Sequence, residues 1–446
     1  MSATSNSTDK LASRILWGLV IGLVLGLIAR AIMFKFPDSE LAFKSFASEI
    51  CDPAGQVFLR LLFFVVVPLV FSSLALGVAQ LGDLSKLGPL AGRTFGMFGI
   101  NMVVGVGLGL LMMNLVNPGN QISPELKDDL MTQYGWDATK YQERAAEQKQ
   151  QGFSLMVVVD MFMPKNLLQS VVEFKILPLI LFALLLGAAA TQLAKEAHLR
   201  VLNVLQDMAD LMTRIVHFAL LLAPIAVPAM MFSVVVHSGL PVLKALFVFV
   251  IGVLAVMLIH LFGTMTILLK LLSKRSPKVF FKAIRTVIVT AFSTSSSSAT
   301  LPTSIQVAKE DLGVSPSTAG FVLPLGATMN MSGTALYEGC VVLFIAQVFG
   351  VELTVVQQLT MLLLAVLSAV AVAGIPGGSL PLIVGLMMNF GIPAEGIALI
   401  LGTDRILDMS RTVLNVAADL ATACIVDDMV GGNIPEPGGA NAGSIG

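Results

Sequence analysis

Long uncharged apolar runs recur along the chain, at Ile15–Ala29, Leu61–Ala79, Thr94–Val116, Ile176–Ala190, Ala245–Leu269 and Thr354–Ala373. Several reach the roughly 20 residues that carry a helix across a hydrocarbon core. In lipid the backbone must satisfy its own hydrogen bonds, so such runs specify helices. Charged residues make up 12% of the 446 and mean hydropathy is +0.87, against about 25% charge in a typical soluble domain. One secretory signal peptide cannot account for so many runs. The expectation is an all-α polytopic membrane protein surrounded by lipid.

A net charge of −1 and a pI near 6.4 give no basis for nucleic-acid binding. Lys270, Lys274, Arg275, Lys278, Lys282 and Arg285 fall in one short connection, which the positive-inside rule assigns to the cytoplasm. Lys10 and Arg14 assign the N-terminus to the same side, and the C-terminus is expected there too. The polar stretch from Asn117 to Gly152 reads as an external loop. Cys51, Cys340 and Cys424 form no CxxC pair, and indicate neither a disulfide framework nor a zinc site. The four scattered histidines read as packing or surface residues. Residues 1–13 and 431–446 read as mobile tails.

The second half is interrupted by sequence that should not lie bare in lipid. The interruptions are "STSSSSATLPTS" (293–304), "GATMNMSGTALYEG" (326–339), "AGIPGGSLP" (373–381) and "GTDRILDMSRTVLNVAADL" (402–420). A broken short segment followed by a polar-bearing span occurs twice, as in inverted repeats whose discontinuous helices meet near the midplane. Read as a helix, 402–420 gathers Asp404, Asp408, Arg411, Asn415 and Asp419 within an arc of roughly 80°, with Thr412 at its edge. Each charge at the bilayer centre costs about 2.5–3.5 kcal/mol on insertion scales. The stripe must therefore face protein, water, a solute or ions. A static network around Arg411 is one reading; the other is a binding face in which a cation offsets the excess of carboxylates. Arg405 falls about 100° from Asp404, where it either snorkels or lines another face. Ser295–Ser298 offer hydroxyls and N–H groups at a half-helix terminus, suited to a carboxylate, or else form a Ser-rich surface loop. Asn330 and Thr334 sit where irregular backbone would expose carbonyls to a small cation. Gly374, Gly377 and Gly378 around Pro376 suit a movable hairpin tip.

In combination "SSSSATLP", "NMSGTALYE", "AGIPGG" and "GTDRILDMSRTVLNVAADL" closely resemble the glutamate transporter family, the dicarboxylate/amino acid:cation symporters. The likeness extends to "FLRLLFFVVVPLVFSSLALG" and "LGPLAGRT", and so across nearly the whole membrane unit. It implies eight transmembrane helices plus two re-entrant helical hairpins, near 276–310 and 355–388. It further implies a homotrimer of protomers that work as elevators. Residues 14–275 would be mainly scaffold, with the third span in the transport domain, and 276–430 the transport core, in a prokaryotic cell membrane. By motif, Arg411 would clamp the side-chain carboxylate of aspartate or glutamate and Asp408 would take the α-amino group. Asn415, Thr412 and the backbone around Ser297 would hold the α-carboxylate. Ser295 and Ser379 would border the substrate, Thr334 would lie near its distal end, and Ile375 would offer a carbonyl. One sodium would use Asp419 with carbonyls of Gly326, Asn330 and Asn415; another would use carbonyls near Thr328, Ala369, Val370 and Val372.

The pattern breaks at three places. The family's "NMDGT" is "NMSGT" here, so Ser332 replaces an aspartate that ligates a further sodium, and Phe98, Asn101 and Met102 align with that site's usual hydroxyl-bearing residues. Loss of its only carboxylate removes most of the attraction for a hard cation. Either the site no longer takes sodium, or the ion shifts toward Asn101, Ser332 and Asn330. Glu338 stands where the animal glutamate carriers have a proton-carrying glutamate; the alternative is a hydrogen-bonded or Arg-paired group that never titrates. The family's supporting arginine is replaced by Ser295 and Met409, while Arg405 occurs where the dicarboxylate-carrying branch has an arginine. The expected activity is therefore symport of acidic amino acids with Na+ and possible H+ coupling, and not enzymatic. The alternatives are a C4-dicarboxylate or neutral amino acid carrier, an anion channel, or, remotely, an intramembrane serine hydrolase, for which no base is evident.

Overall fold

The computed structural model describes residues 2–79, 88–122, 163–172, 176–370, 372 and 377–430, and the regular elements among them are all helical. The expected external loop beyond residue 122, the carbonyl of Ile375, and residues 431–446 lie outside the described residues.

Helix α1 (Ser2–Lys35) begins within the stretch expected to be a tail, which contains neither Gly nor Pro to stop it. Val20, Ile21, Val24, Leu25 and Ile28 form its exposed apolar face. Gly18, Gly22 and Gly26 form the opposite face, against the 64-residue helical run Lys195–Leu258. A Cβ on Gly22 would collide with the Pro228 carbonyl oxygen, and one on Gly26 would fall 2.7 Å from Val235 Cβ. Lipid offers no hydrophobic drive between helices, so close backbone approach at small residues supplies the packing instead.

Short α2 (Glu40–Phe46) leads to α3 (Asp52–Ala79), α4 (Gly88–Val116), α5 (Leu167–Val172) and α6 (Ile176–Ala190). Helix α7 (Lys195–Leu258) bends at Gly239, whose φ of 69° is open to glycine. The carbonyls this bend releases accept from Arg30, with Nη1 2.9 Å from Val236 O. The break thus satisfies a charge inside an apolar helix, and the charge satisfies the break. Among the described residues, four helical stretches can cross a membrane by length and composition: Trp17–Lys35, Leu90–Gln121, Pro241–Leu272 and Pro316–Val348. The bent pair Lys195–Ala219 and Leu221–His237 would make a fifth. With its exposed apolar faces, this is an integral membrane protein.

After α8 (Met265–Leu272) and α9 (Pro277–Ala283), the helices break within the polar interruptions at 293–304 and 326–339, whereas 402–420 runs unbroken within the last helix. Helix α10 (Arg285–Thr294) ends at Ser295 in the left-handed region (φ 50°), and α11 (Ser297–Glu310) starts two residues later, capped by the Ser296 side chain. Helices α12 (Pro316–Met329) and α13 (Ser332–Val348) are parted by non-helical Asn330 and Met331. Helices α14 (Val355–Ala369) and α15 (Leu380–Asn389) form the next pair, and α16 (Ala398–Val430) closes the chain. Helices α10 to α13 all pack on α16, and every residue of α13 is buried. Of the basic connection, Arg275 is tied down: its Nη2 lies 2.8 Å from Asp427, its Nη1 2.8 Å from Asp428, and its Nε donates to Leu312 O. This fixes the end of α16 against the start of the α10–α11 unit.

Candidate functional site

Helix α16 has the sequence of a buried helix on one side only, and its polar stripe turns into the protein. Asp404, Asp408, Arg411, Thr412, Asn415 and Asp419 are all buried, Arg411 at 2% exposure. Arg411 lies one turn from Asp408: Nη2 is 2.7 Å and Nε 2.9 Å from Asp408 Oδ1. Its Nη1 reaches Asp404 Oδ1 at 3.4 Å, and its guanidinium carbon sits 4.7 Å from the centre of the Tyr337 ring. Tyr337 in turn donates to Asp404 Oδ1 at 2.9 Å. One guanidinium is therefore held by two carboxylates and an aromatic face, all removed from water, where such contacts are strongest. Sequence reasoning missed Tyr337, because an aromatic in an apolar helix carries no signal of its own.

The two helix pairs bring backbone to this stripe. Asp408 Oδ2 accepts from the Gly377 N–H at 3.2 Å, so the turn before α15 touches the ion pair directly. The Ser295–Ser296 turn presents the N-terminus of the 14-residue α11, whose N–H groups suit an anion. The Ser295 and Ser379 hydroxyls are buried and have no hydrogen-bond partner among the described residues. Ser297, two residues after Ser295, is buried as well. Thr412 Oγ1 donates to the Asp408 carbonyl of its own helix. Asn415 instead holds the break between α12 and α13. Its Oδ1 accepts from the N–H groups of Gly333 (2.7 Å) and Thr334 (3.4 Å), and its Nδ2 donates to Thr334 Oγ1 and Met331 Sδ. Arg405 does not snorkel: it is 9% exposed, with Nη1 3.7 Å from Asp408 Oδ2.

One turn further, Asp419 accepts from Asn330 Nδ2 at 2.9 Å, while Asn330 Oδ1 is buried without a partner among the described residues. A Cβ on Gly326 would collide with Asp419 Oδ1. Glycine there lets a carboxylate meet backbone closely, in the oxygen-rich setting a hard cation requires. Ala369, Val370 and Val372 sit at the C-terminal end of α14, whose carbonyls carry the negative end of the helix dipole. The Thr328 side chain is exposed and bonds back to Leu325 O, so only its carbonyl is available to that second set.

The residues aligned with the further ion site do cluster, as neutral groups. Asn101 Nδ2 donates to Thr422 Oγ1 at 3.1 Å, and Phe98 and Met102 are buried beside it on α4. Asn101 Oδ1 and Ser332 Oγ have no hydrogen-bond partner among the described residues, and His260 is fully buried. A Cβ on Gly105 would lie 3.2 Å from both His260 Nε2 and Ser332 O. His260 therefore borders this cluster, although a lone histidine in an apolar run gave no sign of it. Glu338, inside α13, accepts from Ser368 Oγ through Oε2, while Oε1 has no partner among the described residues. Its hydrogen-bond partner is thus a serine hydroxyl and not an arginine.

The sequence profile of the sodium:dicarboxylate symporters matches residues 11–429. The chain belongs to that family. Among the relatives of this symporter chain is the proton/sodium-glutamate symport protein of Geobacillus stearothermophilus, 32% identical over 93% of the chain and 94% of the relative. The proton/glutamate-aspartate symporter of Escherichia coli (strain K12) is 28% identical over 92% of the chain and 91% of the relative. The C4-dicarboxylate transport protein of Bacillus subtilis (strain 168) is 26% identical over 93% and 92%.

Proposed function

We propose that this chain is a secondary symporter that carries aspartate or glutamate together with sodium, with a proton as a further coupled ion. The observation that carries the reading is the buried Arg411–Asp408 pair, bridged to a hairpin turn by Gly377 N–H. An acidic amino acid brings both halves of a replacement. Its distal carboxylate takes Arg411 from Asp408, and its ammonium takes Asp408 from Arg411. The exchange trades one desolvated ion pair for two, so little new desolvation falls on the protein. The α-carboxylate then lies toward the α11 N-terminus and the Ser295 and Ser297 region, near Thr412 and Asn415, with Ser379 bordering the side chain and Thr334 the distal end. The names of the glutamate-carrying relatives agree with this chemistry.

Sodium is cargo in this scheme. Asp419 with carbonyls of Gly326, Asn330 and Asn415 takes one ion, and carbonyls near Thr328, Ala369, Val370 and Val372 take a second. The neutral cluster of Phe98, Asn101, Met102 and Ser332 takes none. Glu338 moves the proton. The assembly is a homotrimer in a prokaryotic cell membrane, with cytoplasmic termini, eight membrane-crossing helices and two re-entrant hairpins. The transport domain, 276–430 with the third span, moves against the remaining scaffold.

Purified protein in liposomes is expected to accumulate labelled aspartate and glutamate under a sodium gradient, with a further increase under a proton gradient. Uptake indifferent to both gradients would refute ion coupling. Glu338→Gln is expected to flatten the pH dependence of uptake while leaving its sodium dependence in place, because the amide oxygen still accepts the Ser368 bond but the group does not titrate. A pH profile that superimposes on that of the wild type would remove Glu338 from proton transport.

A further inference from the structure

Asp408 is surrounded by more positive charge than its proposed role explains. Its Oδ1 is taken by two nitrogens of Arg411. Its Oδ2 accepts from Gly377 N–H, and that same oxygen faces Arg405 Nη1 at 3.7 Å. This separation is too long for a hydrogen bond, and Arg405 Nε has no partner at all among the described residues. A largely buried guanidinium thus has one nitrogen unpartnered and another beside a carboxylate without a hydrogen bond to it, a costly arrangement in a protein interior. It becomes intelligible if the oxygen it faces is kept for another cation part of the time. A carboxylate accepts about four hydrogen bonds. With Gly377 and Arg411 in place, the open position on Oδ2 is the one that both Arg405 and an incoming ammonium would use.

We propose that Arg405 is an internal stand-in for the substrate's ammonium group and so sets how strictly this carrier requires an amine. This rests on the assignment of Asp408 as the amine-binding acid. With the substrate bound, Arg411 is engaged by the distal carboxylate and Asp408 needs one positive partner. An amino acid supplies it and displaces Arg405 from the Asp408 field. A dicarboxylate without an amine leaves Arg405 as the counter-ion, and Asp408 is not stranded as a bare buried charge. Arg405 therefore weakens binding of amine-bearing solutes by competition and strengthens binding of their amine-free analogues by compensation. Its effect on the two classes has opposite signs. A purely structural role for Arg405 would move both in the same direction.

The test is inhibition of labelled aspartate uptake by unlabelled aspartate and by succinate, its amine-free analogue, using the full-length protein in liposomes. In Arg405→Gln the half-inhibitory concentration of aspartate is expected to fall and that of succinate to rise. The ratio of the two would widen by about a hundredfold. Arg405→Lys, which restores a charge on a shorter stem, is expected to return the ratio most of the way to wild type, and guards against a misfolded glutamine variant. An unchanged ratio, a parallel loss of both solutes, or a wild type that succinate does not inhibit at any concentration would each overturn the proposal. Failure of the wild type to take up aspartate or glutamate at all would instead overturn the substrate assignment beneath it.

Discussion

Arg411→Cys is expected to abolish uptake of aspartate and glutamate, lowering initial rates by roughly 10²–10³-fold at sub-saturating substrate. The size follows from burial. Removing one partner of a buried ion pair costs about 3–5 kcal/mol, chiefly because the remaining charge is stranded. Here Asp404 and Asp408 would both lose the guanidinium they share, and Tyr337 would lose the cation over its ring. The incoming side-chain carboxylate would meet two uncompensated acids. A solute without that carboxylate suffers less, so the variant is expected to admit neutral amino acids, seen as inhibition or uptake of serine-sized substrates. Initial-rate measurements in liposomes decide the matter. Retention of aspartate uptake within about tenfold of wild type would remove Arg411 from substrate recognition.

Asp419→Asn is expected to have an effect of similar size by another route. Asp419 supplies the single formal negative charge of its proposed ion set, and Gly326 has no side chain where that carboxylate approaches. The affinity of hard-cation sites is tuned over decades by the count of charged ligands. The sodium concentration for half-maximal uptake is expected to rise about a hundredfold or more, with partial recovery at high sodium. The amide that replaces the carboxylate would also turn a donor or a weaker acceptor toward Asn330, whose Nδ2 now donates to Asp419 Oδ1. Sodium titration of substrate uptake provides the measurement. A half-saturating concentration within a factor of about two of wild type would exclude Asp419 as a ligand.

Much of the site could be read along one helix. Asp404, Asp408, Arg411, Asn415 and Asp419 share a stripe because helical periodicity puts them there, and the structure buries all five. The groups that complete the site were less legible in proportion to their distance in sequence. Tyr337, Gly377 and Gly326 bear on the stripe from three other segments. None is chemically conspicuous by itself. His260 beside Ser332 and Ser368 beside Glu338 are of the same kind. Arg405 marks the limit most clearly: its angular offset on the helix left it free to snorkel, and the structure turns it toward Asp408 instead.

That this is a helical membrane protein with a charged stripe that lipid would not tolerate was already written in the chain, because apolar length and the cost of intramembrane charge are local properties. The breaks at 295–296 and 330–331 were legible for the same reason, since Ser-rich and Asn-bearing interruptions cannot continue an apolar helix unaided. Which charge faces which emerged only from the packing of the helices. Pairing of buried ions depends on distances of a few ångströms between segments far apart in the chain, and on side-chain directions that periodicity leaves undetermined.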